Sequence, residues 1–200
     1  DRIVLYFSGH GELGPQDNAH YLILSDSDPE DLPGSAFETS LLAKIPFAGQ
    51  ARTLMVILDT CYSGTGTADA AVWAAKYAPE SGSLLLLISS TRKKDPALDG
   101  AFLPAFLDAA RNATAARGRY VQQYLAVGSL LEHVKAKLPP YQKATWLFAP
   151  AQSGDVLSPI RNPQYDSRIP PGLDLEDQEH YRHALEAHFI PRAQGGETMA

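Results

Sequence analysis

Apolar positions along this chain follow two rhythms. Continuous apolar runs occur at 2–7 (RIVLYF), 53–58 (TLMVIL) and 83–88 (SLLLLI), as expected of strands buried on both faces of a sheet. Shorter runs at 20–24 (HYLIL) and 145–149 (TWLFA) predict two further strands. Helical patterning falls between them, at about 38–46, 68–78, 101–116 and 129–138. The last stretch opens on Ser129 and Glu132, the spacing of a capping box, and sets Leu130, Leu131, Val134 and Leu138 on a face to be buried. Strands alternating with helices predict an α/β three-layer sandwich with a mostly parallel central sheet. In such sheets the functional loops gather at the C-terminal ends of the strands.

Composition narrows this picture modestly. Two hundred residues suffice for a sizeable core in one domain or slightly more. A net charge of −6 argues against nucleic-acid or anionic-membrane partners, which need clustered Lys and Arg. No apolar run approaches the roughly 18–20 residues of a membrane span. The single cysteine, Cys61, excludes an internal disulfide framework and fits a reducing compartment, so a cytoplasmic location is expected. After about Pro159 the chain turns polar and proline-rich. The expected division is a domain over 1–158 and a connector or tail toward a further domain over 159–200.

Two glycine-rich stretches carry the candidate chemistry. Gly9, Gly11 and Gly14 spell G-x-G-x-x-G after the first strand, with Asp26 near the position of a ribose-binding carboxylate. Yet only five residues, PQDNA, separate Gly14 from the strand beginning near His20. A parallel crossover takes about a dozen residues, so this segment reads as a turn into an antiparallel strand and the dinucleotide reading falls. The strand 53–58 leads into Asp59-Thr60-Cys61 and then Gly64 and Gly66. Two apolar strands thus end in Gly-rich loops, one carrying His10 and the other Cys61, which suits a thiol–imidazole dyad. Taken singly, a cysteine beside a strand is most often a small core residue, and a histidine in a turn a solvated one. Their joint placement favours the dyad.

The pair "YFSGHG" and "ILDTCYSG" resembles the caspase–metacaspase group of cysteine endopeptidases, especially bacterial caspase-like proteins, and the likeness extends with less force through "LLLLISSTR" to about residue 150. The resemblance implies a caspase-haemoglobinase fold, His10 as catalytic base and Cys61 as nucleophile. It also implies an oxyanion hole from the N–H groups of Gly11 and Cys61. It places Asp59 in the pocket for the residue before the scissile bond, where true caspases have glutamine, and makes Ser8 a wall of that pocket. Residues 59 and 61 point to one side of an extended strand, and a carboxylate there pairs with Arg or Lys. Tyr62 stands where metacaspases commonly place a histidine. The family also has strands and a helix ahead of the His-bearing strand. These are expected from a separate processed chain or an earlier part of a longer protein, since without them the sheet has an open hydrophobic flank.

The expected activity is therefore cleavage of peptide bonds after Arg or Lys, within a larger regulated bacterial protein. The alternatives are a catalytically silent binding or regulatory module, and a cysteine peptidase or ligase of different specificity. A protein or peptide substrate and a further domain or regulatory partner are expected. No cofactor is required. Because metacaspases often need calcium, Asp26, Asp28, Glu30, Asp31 and Asp69 are noted as oxygen ligands, with a solvated acidic turn as the plainer reading. His180, His183 and Glu176 have metal-like spacing but lie in a charged helix. Lys76 and Arg92, Lys93 and Lys94 are candidate self-cleavage positions, with solubilising charge as the plainer reading.

Overall fold

The computed structural model describes residues 2–45, 52–77, 83–92, 100–112, 120–149 and 156–187. In chain order its first elements are strands β1 (Arg2–Ser8), β2 (Gly11–Leu13) and β3 (His20–Leu22), the short helix α1 (Leu32–Ser35), strand β4 (Phe37–Glu38) and a 3-10 helix, Thr39–Lys44. Next come β5 (Thr53–Asp59), α2 (Ser63–Tyr77), β6 (Leu84–Ser89) and α3 (Phe102–Asn112). The remainder comprises β7 (Tyr124–Ala126), α4 (Val127–Lys137), β8 (Thr145–Ala149), β9 (Leu157–Arg161) and α5 (Leu175–Ala187).

Four strands form the central sheet in the order β1-β5-β6-β8. β1, β5 and β6 run parallel, and β8 closes one side antiparallel. The apolar runs explain why. Leu54 to Leu58 and Leu85 to Ile88 are all at most 1% exposed, so both faces of these strands are covered. Alternate residues supply two cores. Met55, Ile57, Leu86 and Ile88 pack with Phe102, Phe106, Leu130 and Leu131 from α3 and α4. Leu54, Val56, Leu58, Leu85 and Leu87 meet Ala70 and Ala74 of α2 and Leu42 of the 3-10 helix. Each fully buried Leu or Ile contributes roughly 1.5–3 kcal/mol, which makes the sheet the rigid base of the molecule. The layers are those the sequence predicts: helices, mostly parallel sheet, helices.

On the α3/α4 face, Phe102, Ala105, Phe106 and Ala109 make the buried stripe of α3. Asp108 on the other side accepts from His133 Nε2 of α4 at 2.7 Å and lies 3.3 Å from Lys137 Nζ. Hydrogen bonds from His133, then Asn112 and Lys137, hold its carboxyl down at about 2.

Several expectations need correction. Strand β1, expected to be buried on both faces, lies at the sheet edge with Ile3 and Val4 exposed, and the helix expected over 38–46 is the end of β4 and a 3-10 helix. The helix over 129–138 begins two residues earlier, with Ala126 as N-cap and no side-chain cap bond. Ser129 is therefore inside the first turn and Glu132 pairs with Lys135 at 2.9 Å, so the capping-box spacing is coincidental. The helix over 68–78 starts at Ser63, because Gly64 and Gly66 enter the helix where loop residues were expected. Strand β9 pairs antiparallel with β7, and neither was expected. Pro159 masks β9, since proline reads as a strand breaker. β9 spans the boundary at 158/159, and the expected helix residues 113–116 lie outside the described residues.

Candidate active site

The ends of β1 and β5 bring the two Gly-rich loops together. Their parallel register runs from Arg2↔Thr53 to Ser8↔Asp59, and beyond it the Gly9 N–H donates to the Asp59 carbonyl at 3.4 Å. His10 and Cys61 each follow two residues after this last pair, on chains that paired as neighbours about 4.8 Å apart. Gly11 makes the contact closest. A Cβ there would lie 2.7 Å from the Cys61 carbonyl oxygen and from Thr60 Oγ1, and 2.6 Å from His20 Nε2. His10 is exposed and Cys61 half-buried, so both are within reach of a substrate.

The chain then reverses. The Gly14 N–H donates to the Ala19 carbonyl at 2.8 Å and Asn18 adopts φ 55°, a left-handed position that asparagine tolerates. β3 returns antiparallel with Gly11 opposite Leu22. This is the antiparallel return expected from five intervening residues, and it leaves no crossover helix for a dinucleotide. The Ile23 N–H donates to the His10 carbonyl at 3.0 Å. Hydrogen-bonded and non-bonded pairs alternate along such a ladder, so the N–H of Gly11 points away from β3.

Beneath the Cys61 loop lies His20, 1% exposed, a residue that the sequence reading used only to mark a strand. Its Nε2 is 3.0 Å from the Cys61 carbonyl oxygen and its Nδ1 2.7 Å from Thr39 Oγ1. A carbonyl only accepts, so Nε2 carries the proton and Nδ1 accepts from the Thr39 hydroxyl. Burial pushes the His20 imidazole below its ordinary value, with the bond to the Cys61 carbonyl working the other way. Thr60 Oγ1 donates to the same carbonyl at 3.1 Å. A Cβ on Gly66 would come within 2.6 Å of His20 Nδ1. Two glycines that resemble a ligand-cradling loop thus make room for this imidazole.

The other side of the loop is also fixed. Thr91 Oγ1 donates to the Thr60 carbonyl at 3.3 Å, and Ser63 Oγ accepts the Thr91 N–H at 3.3 Å. Because a trans peptide is planar, fixing the Thr60 carbonyl aims the Cys61 N–H the opposite way. Tyr62 follows with φ 58°, and α2 begins at the next residue.

Asp59 is 7% exposed, and its Oδ2 accepts from Tyr6 Oη at 3.0 Å. Burial, opposed by a bond with Ser8 and reinforced by the Asp59 carboxylate, pushes the Tyr6 hydroxyl up to about 12. Ser8 and Asp59 share one face of the sheet. Ser90, which follows the register of Leu58 with Ser89, takes the next place in that row. Its buried Oγ has no hydrogen-bond partner among the described residues. Tyr6 was legible from strand alternation, being two before Ser8. Ser90, directly after an apolar run, gave no such signal.

The remaining candidates lie apart. Asp28 Oδ1 accepts from the Glu30 N–H and Asp31 Oδ1 from the Gly34 N–H, so these carboxylates serve the turns of their own segment. Among the described residues no three His, Cys, Asp or Glu side chains converge as a metal site. His183 lies 3.7 Å from Glu186 on an exposed helix face. Lys76 is exposed in the last turn of α2 and Arg92 is exposed; Lys93 and Lys94 fall outside the described residues. Among the described residues no helix is long and apolar enough to cross a membrane.

A sheet with His10 and Cys61 on adjacent strand ends is matched by one family model, described as a caspase domain, over residues 1–168. The chain belongs to the caspase-domain family. No curated protein matches it. This caspase domain is therefore of the cysteine-peptidase type, with the match extending through β9.

Proposed function

We propose that this caspase domain is a cysteine endopeptidase that cuts protein or peptide chains after Arg or Lys. His10 takes the proton from the Cys61 thiol, and the sulfur attacks the scissile carbonyl carbon. The oxyanion is met by the N–H groups of Gly11, turned away from β3, and of Cys61, aimed by the Thr60–Thr91 bond. His10 then protonates the leaving amine, and water releases the acyl group. No step in this scheme calls on a metal ion. A location in the cytoplasm and service within a larger regulated bacterial protein complete the reading.

The observation that carries the specificity is Asp59, a nearly buried carboxylate two residues before Cys61 on the face it shares with Ser8. An arginine entering there meets an acceptor already held by Tyr6 and gains a two-pronged bond. Reporter peptides differing only in Arg, Lys or Asp before the scissile bond test this. Arg and Lys peptides are expected to be cleaved and the Asp peptide spared. Asp59→Asn is expected to lower kcat/KM on Arg by several hundred-fold, since unpairing a desolvated charge costs about 3–5 kcal/mol. Alkylation of Cys61 by iodoacetamide should barely change. Equal turnover of the Arg and Asp peptides by the unaltered chain would refute the specificity.

A further inference from the structure

Two histidines lie near Cys61, and the proposed chemistry uses only His10. His20 is buried, and both ring nitrogens are occupied: Nδ1 by the Thr39 hydroxyl and Nε2 by the Cys61 carbonyl. With Nε2–H committed to that carbonyl, this ring cannot accept the thiol proton at Nε2. What it holds is the peptide between Cys61 and Tyr62. Tyr62 is left-handed, with φ 58°, a conformation that costs a non-glycine residue on the order of 1–3 kcal/mol and persists only where neighbours enforce it. The enforcing contacts are visible. The carbonyl at the bend receives two donors, His20 Nε2–H at 3.0 Å and Thr60 Oγ1–H at 3.1 Å. The surrounding chain is shaped to admit the ring, since a Cβ at Gly11 or Gly66 would approach its nitrogens to 2.6 Å.

We infer that His20 is a positioning residue for the nucleophile: its neutral ring donates from Nε2 to the Cys61 carbonyl and keeps the Cys61–Tyr62 peptide in the bend that presents the thiol. This rests on the peptidase reading of Cys61. Burial of the ring favours the neutral form that the geometry requires. Thr39 acts one step further out, because its hydroxyl donates to Nδ1 and so fixes the proton on Nε2.

The experiment compares His20→Phe, His20→Gln and Thr39→Val in the whole chain. It follows kcat and KM on an Arg reporter, Cys61 alkylation by iodoacetamide, and thermal unfolding. Gln keeps an N–H donor near the Nε2 position, while Phe keeps a ring without one. His20→Phe should lose roughly a hundredfold in kcat, the scale of a misplaced reacting group, with KM within about threefold. His20→Gln should recover to within about tenfold of the unaltered chain, and Thr39→Val should lose about fivefold in kcat. Equal impairment of Phe and Gln variants would reduce His20 to a space-filler and overturn the inference, as would an unchanged kcat in His20→Phe. Should His20→Phe fail to fold, an unchanged kcat in Thr39→Val overturns it. Should the unaltered chain cleave no peptide, the peptidase reading fails separately and the alkylation rates decide. A changed rate in the Phe or Thr39→Val variant with a normal rate in Gln supports the positioning role, and rates all alike overturn it.

Discussion

His10 and His20 both belong to the segments beside the Cys61 loop and live in opposite surroundings. His10 sits in an exposed loop past the end of β1, reached by solvent and by any incoming chain. His20 heads β3, 1% exposed and bonded on both nitrogens. The first is open to solvent on its loop. The second holds the backbone because its proton is fixed.

The sharpest way to break this comparison is at the reacting groups. Cys61→Ala and His10→Ala are each expected to remove nearly all cleavage of an Arg reporter, a loss on the order of a thousandfold or more, with the double variant scarcely worse. Thermal unfolding should be nearly unchanged, since His10 is exposed and Cys61 only half-buried. A His10→Ala chain that cleaves within tenfold of the unaltered one would return the base role to another group.

A smaller effect should follow from filling the space between the two regions. In Gly11→Ala the new Cβ meets backbone and ring atoms at 2.6–2.7 Å. This should destabilise the fold by about 1–3 kcal/mol, as overpacking does, and depress kcat with it. Gly128 in α4 is the control. A Cβ there meets nothing within 4 Å, so Gly128→Ala should stabilise by about 0.5–1 kcal/mol. Unfolding midpoints of the two variants moving in the same direction would show that the crowding at Gly11 is relieved cheaply.

Much of the outer arrangement was legible in the chain. Continuous apolar runs locate β1, β5 and β6, and parallel pairing of adjacent strands delivers the His10 and Cys61 loops to one end. Five residues between Gly14 and His20 suffice to exclude a crossover. The inner arrangement was not legible. His20 looks like a polar start to an apolar strand, and its meaning depends on Thr39 and Cys61, 19 and 41 residues away. Thr91 and Ser63 read as loop serine and threonine until the fold joins them. Ser129 shows the opposite error: a local pattern with a mechanism behind it, overruled because the turn begins two residues sooner. Local periodicity reports the sheet, whereas long-range hydrogen bonds build the support beneath the Cys61 loop.

The weakest expected effect concerns acid, and it reads His20 by stability rather than rate. His20 has a pKa below its unfolded value of 6.5, because burial penalises the imidazolium and its side-chain partners are the neutral Thr39 and Thr60 hydroxyls. The unfolded chain therefore binds a proton that the folded chain refuses. The stability linked to this group is present in full above pH 6.5 and is lost as pH falls through that value toward the folded pKa. Asp17, Asp108 and Asp166 also have lowered values, from 3.8, so their contributions are lost only as pH drops below about 4. The loss linked to His20 therefore begins at a higher pH than theirs. Denaturant unfolding at pH 7.5 and pH 5 should show the unaltered chain weakening on acidification and His20→Gln weakening less. If His20→Gln keeps the full loss between pH 7.5 and 5, the proton is taken up elsewhere, and the buried ring is not the group that makes this fold sensitive to mild acid.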